Sequence, residues 1–173
     1  MFLFGIVAFC GCKIEESEPA SEPEQESKPE QESKTNPTLE TTINKELLLQ
    51  LVNSYRSAGC DCGSEGYFSP TTHVVWNDTL QLAAQDHCED MFKNKFFSHT
   101  GSDGSHFGTR LNRRGYAWRT CAENIAQGYQ TEKSVIEGWV KSPGHCKNMM
   151  NPIYKEMGIA KAGDYWTQIF GTH

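Results

Sequence analysis

The sequence predicts a single α+β domain with a small antiparallel sheet. The order of the predicted elements indicates the fold class, and the length and charge balance indicate a single domain. Within residues 43–173, amphipathic helical patterns come first and short strand-like runs come last. This segregation along the chain is typical of the α+β class. The 131 residues of this part carry 13 acidic and 13 basic side chains, so the predicted domain has no net formal charge. Its length is that of a single domain.

The predicted helices follow from apolar residues that recur at three- and four-residue spacing. Leu48, Leu51 and Val52 belong to the first of these stripes. Asn77 or Asp78 can cap the second helix. The four predicted helices lie at 43–57, 77–94, 107–114 and from 131 to a Ser-Pro-Gly interruption at 142–144.

The remaining elements are loops and short strands. Residues 60–70 and 98–106 are rich in Gly and Ser, which predicts loops. Runs of apolar and β-branched residues near the end of the chain predict strands, because they are too short for helices. The predicted strands lie at 123–126, 157–161 and 165–170.

The first twelve residues, MFLFGIVAFCGC, contain an apolar run at 2–9. This run is too short to span a bilayer, but it is typical of the core of a secretory signal. Gly11 precedes Cys12, as a small residue precedes the lipid-modified cysteine of bacterial lipoproteins. We therefore expect a lipoprotein signal peptide at 1–12 that ends at lipidated Cys12. A buried apolar strand is the alternative interpretation.

The composition of residues 13–42 predicts a disordered acidic tether. They hold nine Glu and three Lys, and the hexamer PEQESK occurs at 23–28 and again at 29–34. A segment with so few apolar residues cannot offset the entropy cost of ordering. We expect the domain at 43–173 to be exported and held through this tether at the bacterial outer membrane or cell surface, or secreted. The charge distribution lacks the basic patch of a nucleic-acid-binding protein.

The motifs of residues 43–173 resemble those of a CAP domain. This family, also called SCP, includes cysteine-rich secretory proteins, antigen 5 and plant PR-1, and the bacterial branch is the more similar one. The resemblance implies a three-layer α-β-α sandwich. The matching motifs are LVNSYR at 51–56, WN at 76–77, AAQDHCEDM at 83–91, FSH at 97–99, ENIA at 123–126, GWVKSPGH at 138–145, NMMNP at 148–152, MG at 157–158 and YWTQIFG at 165–171.

The resemblance also implies a site. In the eukaryotic branch, a central cavity presents two His and two Glu, and some members bind a divalent metal there. His99 matches the first His and Glu123 the first Glu, whereas Ser142 and Tyr165 hold the positions of the second Glu and second His. His145 is the expected replacement. The resemblance thus implies a cluster of His99, Glu123 and His145, to which Tyr165 supplies a hydroxyl.

Two imidazoles and a carboxylate suit zinc or another divalent metal with an open water position. Without a metal, Glu123 can fix the tautomer of an imidazole that accepts a proton at its other nitrogen. A polar cluster that only ties the helices to the sheet is the third interpretation. Ser142 and His87 are expected to line the cavity, and His87 is interpreted mainly as a core residue because it lies on a buried helix stripe.

The cysteine count supports export. With Cys12 lipidated, five cysteines remain in the predicted domain, and an odd number allows at most two disulfides. We predict that Cys146 pairs with one of two neighbouring cysteines, and that the remaining two pair with each other. The predicted pairs are Cys146 with Cys60 or Cys62, and Cys88 with Cys121.

The sequence leaves three functions open. The leading hypothesis is a monomeric binding module for a divalent metal or a small apolar ligand, attached to the membrane by its lipid. The second is a metal-dependent hydrolase of peptide or cell-wall substrates, although neither a GxSxG nor an HExxH motif is present. The third is a structural or adhesion protein with a vestigial site.

Overall fold

The computed structural model describes residues 42–173. The predicted signal peptide at 1–12 with Cys12, and the predicted tether at 13–42 except Thr42, lie outside the described residues. Within them, no helix is both long and apolar enough to cross a membrane. The elements are α1 (Lys45–Ala58), β1 (Cys60–Asp61), β2 (Tyr67–Phe68), β3 (Val75–Trp76), α2 (Asp78–Asn94), α3 (Phe107–Arg113), β4 (Thr120–Gln127), α4 (Glu132–Lys141), α5 (Pro143–Met150), β5 (Glu156–Ala162) and β6 (Tyr165–Thr172).

Four of these strands form the central sheet, in the order β3-β5-β6-β4. Strand β6 pairs antiparallel with both β4 and β5, whereas β3 pairs parallel with β5. Strands β1 and β2 form a separate antiparallel pair. The predicted α+β class is confirmed, but the parallel pair makes the central sheet mixed and not wholly antiparallel.

The helices cover the two faces of the sheet, which confirms the predicted three-layer sandwich. Alternation along β6 sends Trp166 and Phe170 into a cluster with α1, α4 and α5, and sends Ile169 into a second cluster with α2 and α3. Strand β4 follows the same rule, because Ala122 and Ala126 pack with the first cluster. Glu123 therefore faces the side of α2 and α3.

Local signals explain where the helices begin. The Asn77 side chain accepts hydrogen bonds from the backbone of Thr79 and Leu80, so Asn77 caps α2 as predicted. Thr131 caps α4 in the same way. Ser142 stands between α4 and α5 in an extended conformation, and Pro143 is the first residue of α5. The predicted interruption is thus a sharp junction between two helices.

One glycine allows α2 to lie unusually close to the sheet. A Cβ atom on Gly158 of β5 would stand 2.1 Å from the backbone nitrogen of Gln81 in α2, closer than any real contact. A larger residue would push α2 away from β5. Gly158 therefore allows the short distance between α2 and β5, and this distance determines where the α2 side chains lie relative to the sheet.

One predicted disulfide is present and the other prediction is wrong. Cys62 is bonded to Cys146, whereas Cys88 and Cys121 are both free thiols. The Cys88 thiol points from α2 at the inner strands, where it donates a hydrogen bond to Thr167 Oγ1 at 3.1 Å. Cys121 lies on the edge strand β4 instead. Burial raises the pKa of Cys88 to about 12 and that of Cys121 to about 11.

Candidate functional site

Glu123 is the centre of a polar cluster on the α2 side of β4. Its side chain is fully buried, and each carboxylate oxygen accepts a short hydrogen bond. Oε1 is 2.8 Å from Nδ1 of His99, and Oε2 is 2.7 Å from Nη2 of Arg110. A buried carboxylate is costly unless it is paired and hydrogen-bonded. The Arg110 guanidinium therefore stabilises the charge on Glu123.

His99 is the part of this cluster that reaches solvent. Its side chain is 50% exposed and lies in the loop between α2 and α3. An ionised carboxylate only accepts hydrogen bonds, so Nδ1 of His99 carries the proton that Glu123 accepts. In the neutral imidazole, Nε2 then keeps its lone pair. A carboxylate that fixes a histidine in this way is the usual support for a ligand-binding or proton-accepting imidazole.

Arg110 belongs to this cluster, although no sequence motif predicted it. Its guanidinium also donates to the backbone oxygens of Ser105 at 2.9 Å and His99 at 3.2 Å, so it holds both the loop and Glu123. The sequence contained one indication of it: Glu123 lies within a predicted strand, and a carboxylate that is buried there requires a cation as its partner. Of the three arginines in this part of the chain, Arg113 and Arg114 pair with surface aspartates, and Arg110 turns inward.

His87 joins the same cluster from α2 and is fully buried. Its Nε2 is 2.8 Å from the backbone oxygen of Ser98 and 3.9 Å from Oε1 of Glu123. Burial lowers the pKa of His87, and the neighbouring Glu123 charge only partly opposes this shift. Nδ1 of His87 has no partner within the described residues. His87 is thus a core residue, as interpreted, but it also lies near the Glu123 carboxylate.

His145 approaches from the other side of β4. It lies in the first turn of α5, half-buried, and its backbone oxygen accepts a hydrogen bond from Nδ2 of Asn124 at 3.2 Å. Burial lowers the pKa of His145, and the charge of the nearby His99 lowers it further. His99 is thus near enough to His145 for their charges to interact. Within residues 42–173, no hydrogen bond joins the His145 ring to Glu123.

Neutral amides connect α5 to β4 beside this cluster. Nδ2 of Asn124 donates to Oε1 of Gln168, and Nδ2 of Asn148 donates to Oδ1 of Asn124, both at 2.9 Å. Asn148 also reaches the backbone oxygen of Glu123 at 3.4 Å. This network fixes the helix that carries His145 against the strand that carries Glu123.

Among the described residues, neither Tyr165 nor Ser142 is hydrogen-bonded to the Glu123 carboxylate. Tyr165 is buried in an apolar cluster with Met91 and Ile125, and its hydroxyl makes no hydrogen bond within the described residues. Tyr165 therefore has an apolar packing role, whereas its hydroxyl was expected to belong to the polar cluster. Ser142 is the junction residue between α4 and α5.

The ligand atoms of the predicted set, His99, Glu123 and His145, do not converge on one point where a metal could bind all three. Among the described residues, one group of three or more His, Cys, Asp or Glu side chains has its ligand atoms within 4.8 Å of one another, and it consists of Cys60, Cys62 and Cys146. Both oxygens of Glu123 are already bonded to His99 and Arg110. With both carboxylate oxygens engaged in this way, the residues present fit poorly a metal bound directly to Glu123.

A groove of about 490 Å³ lies beside α3. Cys121 lines it and stands two residues before Glu123, on the same face of β4. Trp118 is 39% exposed and lies against Gly108, where a Cβ atom would be 2.9 Å from the indole. The lining residues are His106, Phe107, Gly108, Thr109, Asn112, Trp118 and Cys121.

Residues 49–170 match the family model described as CAP, the cysteine-rich secretory protein family. Two curated proteins of Bacillus subtilis (strain 168) are similar over 97 residues. The uncharacterized protein YkwD is 34% identical, over 54% of this chain and 37% of its own length. The uncharacterized membrane protein YlbC is 33% identical, over 56% and 28%. The chain thus spans about a third of the length of these relatives.

Solved structures share the fold. An extracellular protein with an SCP domain from Bacillus anthracis str. Ames superposes with a TM-score of 0.66 and 26% identity, covering 74% of this chain and 40% of that one. An outer surface protein from Borrelia burgdorferi gives a TM-score of 0.58 and 19% identity, covering 76% and 96%. A cysteine-rich secretory protein from Staphylococcus aureus gives 0.59 and 20%, covering 74% and 38%.

Proposed function

The chain belongs to the CAP family, and from that membership we propose that it is an exported binding module whose ligand site is formed by His99 and His145. The proposed ligand is zinc or a similar divalent metal. The observation that carries the proposal is the half-exposed imidazole of His99, held at Nδ1 by a buried carboxylate. This pairing leaves Nε2 as the ligand atom.

The electrostatics of His145 favour metal binding at neutral pH. A histidine binds a metal only in its neutral form. The pKa of His145 is lowered by burial and by His99, so His145 remains neutral at pH values where an ordinary histidine begins to be protonated. When bound, the metal would supply Lewis acidity and an anchor for ligands with oxygen or nitrogen donors. Two protein ligands leave several positions to water, so the proposed affinity is low.

A zinc titration tests this proposal. The protein is purified without reductant, which keeps Cys62–Cys146 closed, and titrated with zinc by calorimetry and NMR. We expect His99→Gln and His145→Gln each to lower the affinity about 10-fold or more. His106→Gln is the matched control, because His106 is exposed at the start of α3 and makes no side-chain cap. Equal affinity in all four proteins would refute the proposed site.

A hydrolase is the second candidate, and the same geometry favours it. An imidazole whose Nδ1–H is held by a carboxylate can take a proton at Nε2 as a general base. Within residues 42–173, however, no hydroxyl or thiol side chain is hydrogen-bonded to the ring of His99 or His145, so the nucleophile would have to be water. Turnover of peptide or peptidoglycan fragments that is lost in His99→Gln would support the hydrolase over the binding module. A protein that neither binds zinc nor turns over substrate fits the structural or adhesion hypothesis.

We also propose that the protein is held at the cell envelope through lipidated Cys12. Two of the structural relatives are described as extracellular and as an outer surface protein. The disulfide Cys62–Cys146 supports an oxidising compartment. Expression of the full chain in a bacterial host should place it in the membrane fraction, and Cys12→Ser should release it. Equal membrane retention of Cys12→Ser would contradict the lipid anchor.

A further inference from the structure

Three sulfur atoms lie together at the end of the domain that carries β1 and α5. The disulfide joins Cys62 to Cys146, and Sγ of the free Cys60 is 3.7 Å from Sγ of Cys146. All three sulfur atoms lie within 4.8 Å of one another. A free thiol in contact with a disulfide is the arrangement from which thiol–disulfide exchange begins.

We propose that this three-cysteine cluster is a thiol–disulfide exchange site in which Cys146 has two alternative partners. Cys60 loses its proton to solvent, and its thiolate attacks Sγ of Cys146. The Cys60–Cys146 bond forms as the Cys62–Cys146 bond breaks, and Cys62 leaves with the electron pair and takes up a proton. One disulfide and one thiol are present before and after, so the step needs neither an oxidant nor a reductant.

The geometry favours Cys146 as the sulfur that is attacked. Cys60 and Cys62 are separated by a single residue, and a bond between them would close a very small ring, whereas Cys146 comes from a distant helix. A disulfide bond is about 2.05 Å long. Since all three sulfurs lie within 4.8 Å of one another, Cys60 stands beside the S–S bond and not on its axis. Its side chain must therefore move towards the axis before attack.

The backbone around Cys60 can accommodate that movement. Gly59 and Gly63 bracket the Cys60–Cys62 segment with φ values of +79° and +63°. These are left-handed conformations that glycine leaves easily. Strand β1 is two residues long, and in the described part of the chain its partner is the equally short β2. A small movement of this segment therefore brings Cys60 towards the S–S axis without disturbing the central sheet.

The two isomers differ in which thiol is accessible. Cys60 is partly exposed, whereas Cys62 and Cys146 are 1% and 0% exposed. Exchange thus buries the remaining thiol at position 62. Burial and the adjacent Asp61 carboxylate raise the pKa of Cys60, so its thiolate is scarce at neutral pH and exchange accelerates as the pH rises.

Disulfide mapping of the full-length protein tests the proposal. The protein is kept without reductant at about pH 8.5, near the ordinary thiol pKa, then quenched in acid and alkylated under denaturing conditions. A protease that cleaves before aspartate separates Cys60 from Cys62 at Asp61, so mass spectrometry distinguishes the two disulfides. We expect a Cys60–Cys146 peptide that grows with time and pH. Its absence at every pH would overturn the proposal.

A variant gives an independent result. In Cys62→Ser, air oxidation should produce the Cys60–Cys146 disulfide, and neither cysteine should then react with an alkylating agent. The matched control is Cys60→Ser, in which Cys62–Cys146 should form and no second isomer should appear. If Cys62→Ser leaves Cys60 and Cys146 both alkylated, Cys60 cannot replace Cys62. Should Cys62→Ser fail to fold, the time course of the unaltered protein still decides the question.

Discussion

Two neighbouring residues of β4 carry polar networks of different chemistry. Glu123 faces α2 and α3, where it holds the charged Arg110 and the half-exposed His99. Asn124 faces α5, where it exchanges hydrogen bonds with the neutral amides of Gln168 and Asn148. The first network contains charges and groups that titrate, and the second contains neither.

This difference indicates that the ionic network of Glu123 can respond to a ligand, whereas the amide network of Asn124 holds the site in place. The ionic network ends in the half-exposed imidazole of His99, so a proton or a metal can reach it. The amide network is largely buried, and through the backbone oxygen of His145 it positions the helix turn that carries the second imidazole. The site therefore combines a responsive half with a supporting half, and each can be broken separately.

The largest effect is expected when the ionic network loses its cation. Arg110→Met should destabilise the protein by about 3–5 kcal/mol, because the Glu123 charge is left buried without a partner. Urea unfolding measures the change. Arg113→Met is the control: Arg113 forms an exposed ion pair, and its loss should cost less than about 1 kcal/mol. Equal losses in the two variants would show that Arg110 does not neutralise a buried carboxylate.

The amide network should show a smaller effect. Asn124→Leu removes a donor and an acceptor and leaves the Gln168 and Asn148 amides without their partner, which should cost about 1–3 kcal/mol. No group of this network titrates between about pH 5 and 8. The free-energy difference between Asn124→Leu and the unaltered protein should therefore be the same at both ends of this range. A loss that grows on acidification would mean that the two networks are coupled.

The pH dependence of stability should originate in the ionic half. Burial lowers the pKa of His87 in the folded state, although the Glu123 and Asp90 charges raise it in part and the Arg110 charge lowers it. In the folded state His87 therefore binds fewer protons than in the unfolded chain. Its contribution to stability is complete above the unfolded pKa of about 6.5 and is lost as the pH falls below it.

Urea unfolding between about pH 5 and 8 measures this slope. His87→Gln retains a donor for Ser98 and should flatten the dependence, whatever it does to the absolute stability. His106→Gln should leave the slope unchanged, because His106 is exposed. An unaltered slope in His87→Gln would assign the pH dependence to another group, and the first to test is His145, whose pKa burial also lowers.

The fold was largely predictable because its long elements carry local signals. The apolar stripe and the Asn77 cap predicted a helix at 77–94, and α2 spans Asp78–Asn94. Strands β1, β2 and β3 were missed because two residues are too short to show a two-residue alternation. The parallel pairing of β3 with β5 joins segments about 80 residues apart, which no local pattern encodes.

The site was predictable only where a motif marked it. The resemblance to CAP domains identified His99 and Glu123, which are hydrogen-bonded. Arg110 has no motif, and its inward direction depends on how α3 packs against β4. The Cys88–Cys121 prediction was wrong for the same reason, because the direction of the Cys88 side chain depends on how α2 lies on the sheet.

The smallest effect on stability is expected from the residue most important for the proposed function. In His99→Asn, Glu123 keeps its ion pair with Arg110, and because His99 is 50% exposed, water can reach the vacated oxygen. Because one partner of this hydrogen bond is half exposed and Glu123 keeps Arg110, its loss should cost about 1 kcal/mol, and the urea midpoint should change little. Zinc affinity, by contrast, should fall as it does in His99→Gln. A large loss of stability would show that His99 has a mainly structural role. Its proposed role as a ligand would then lose its support.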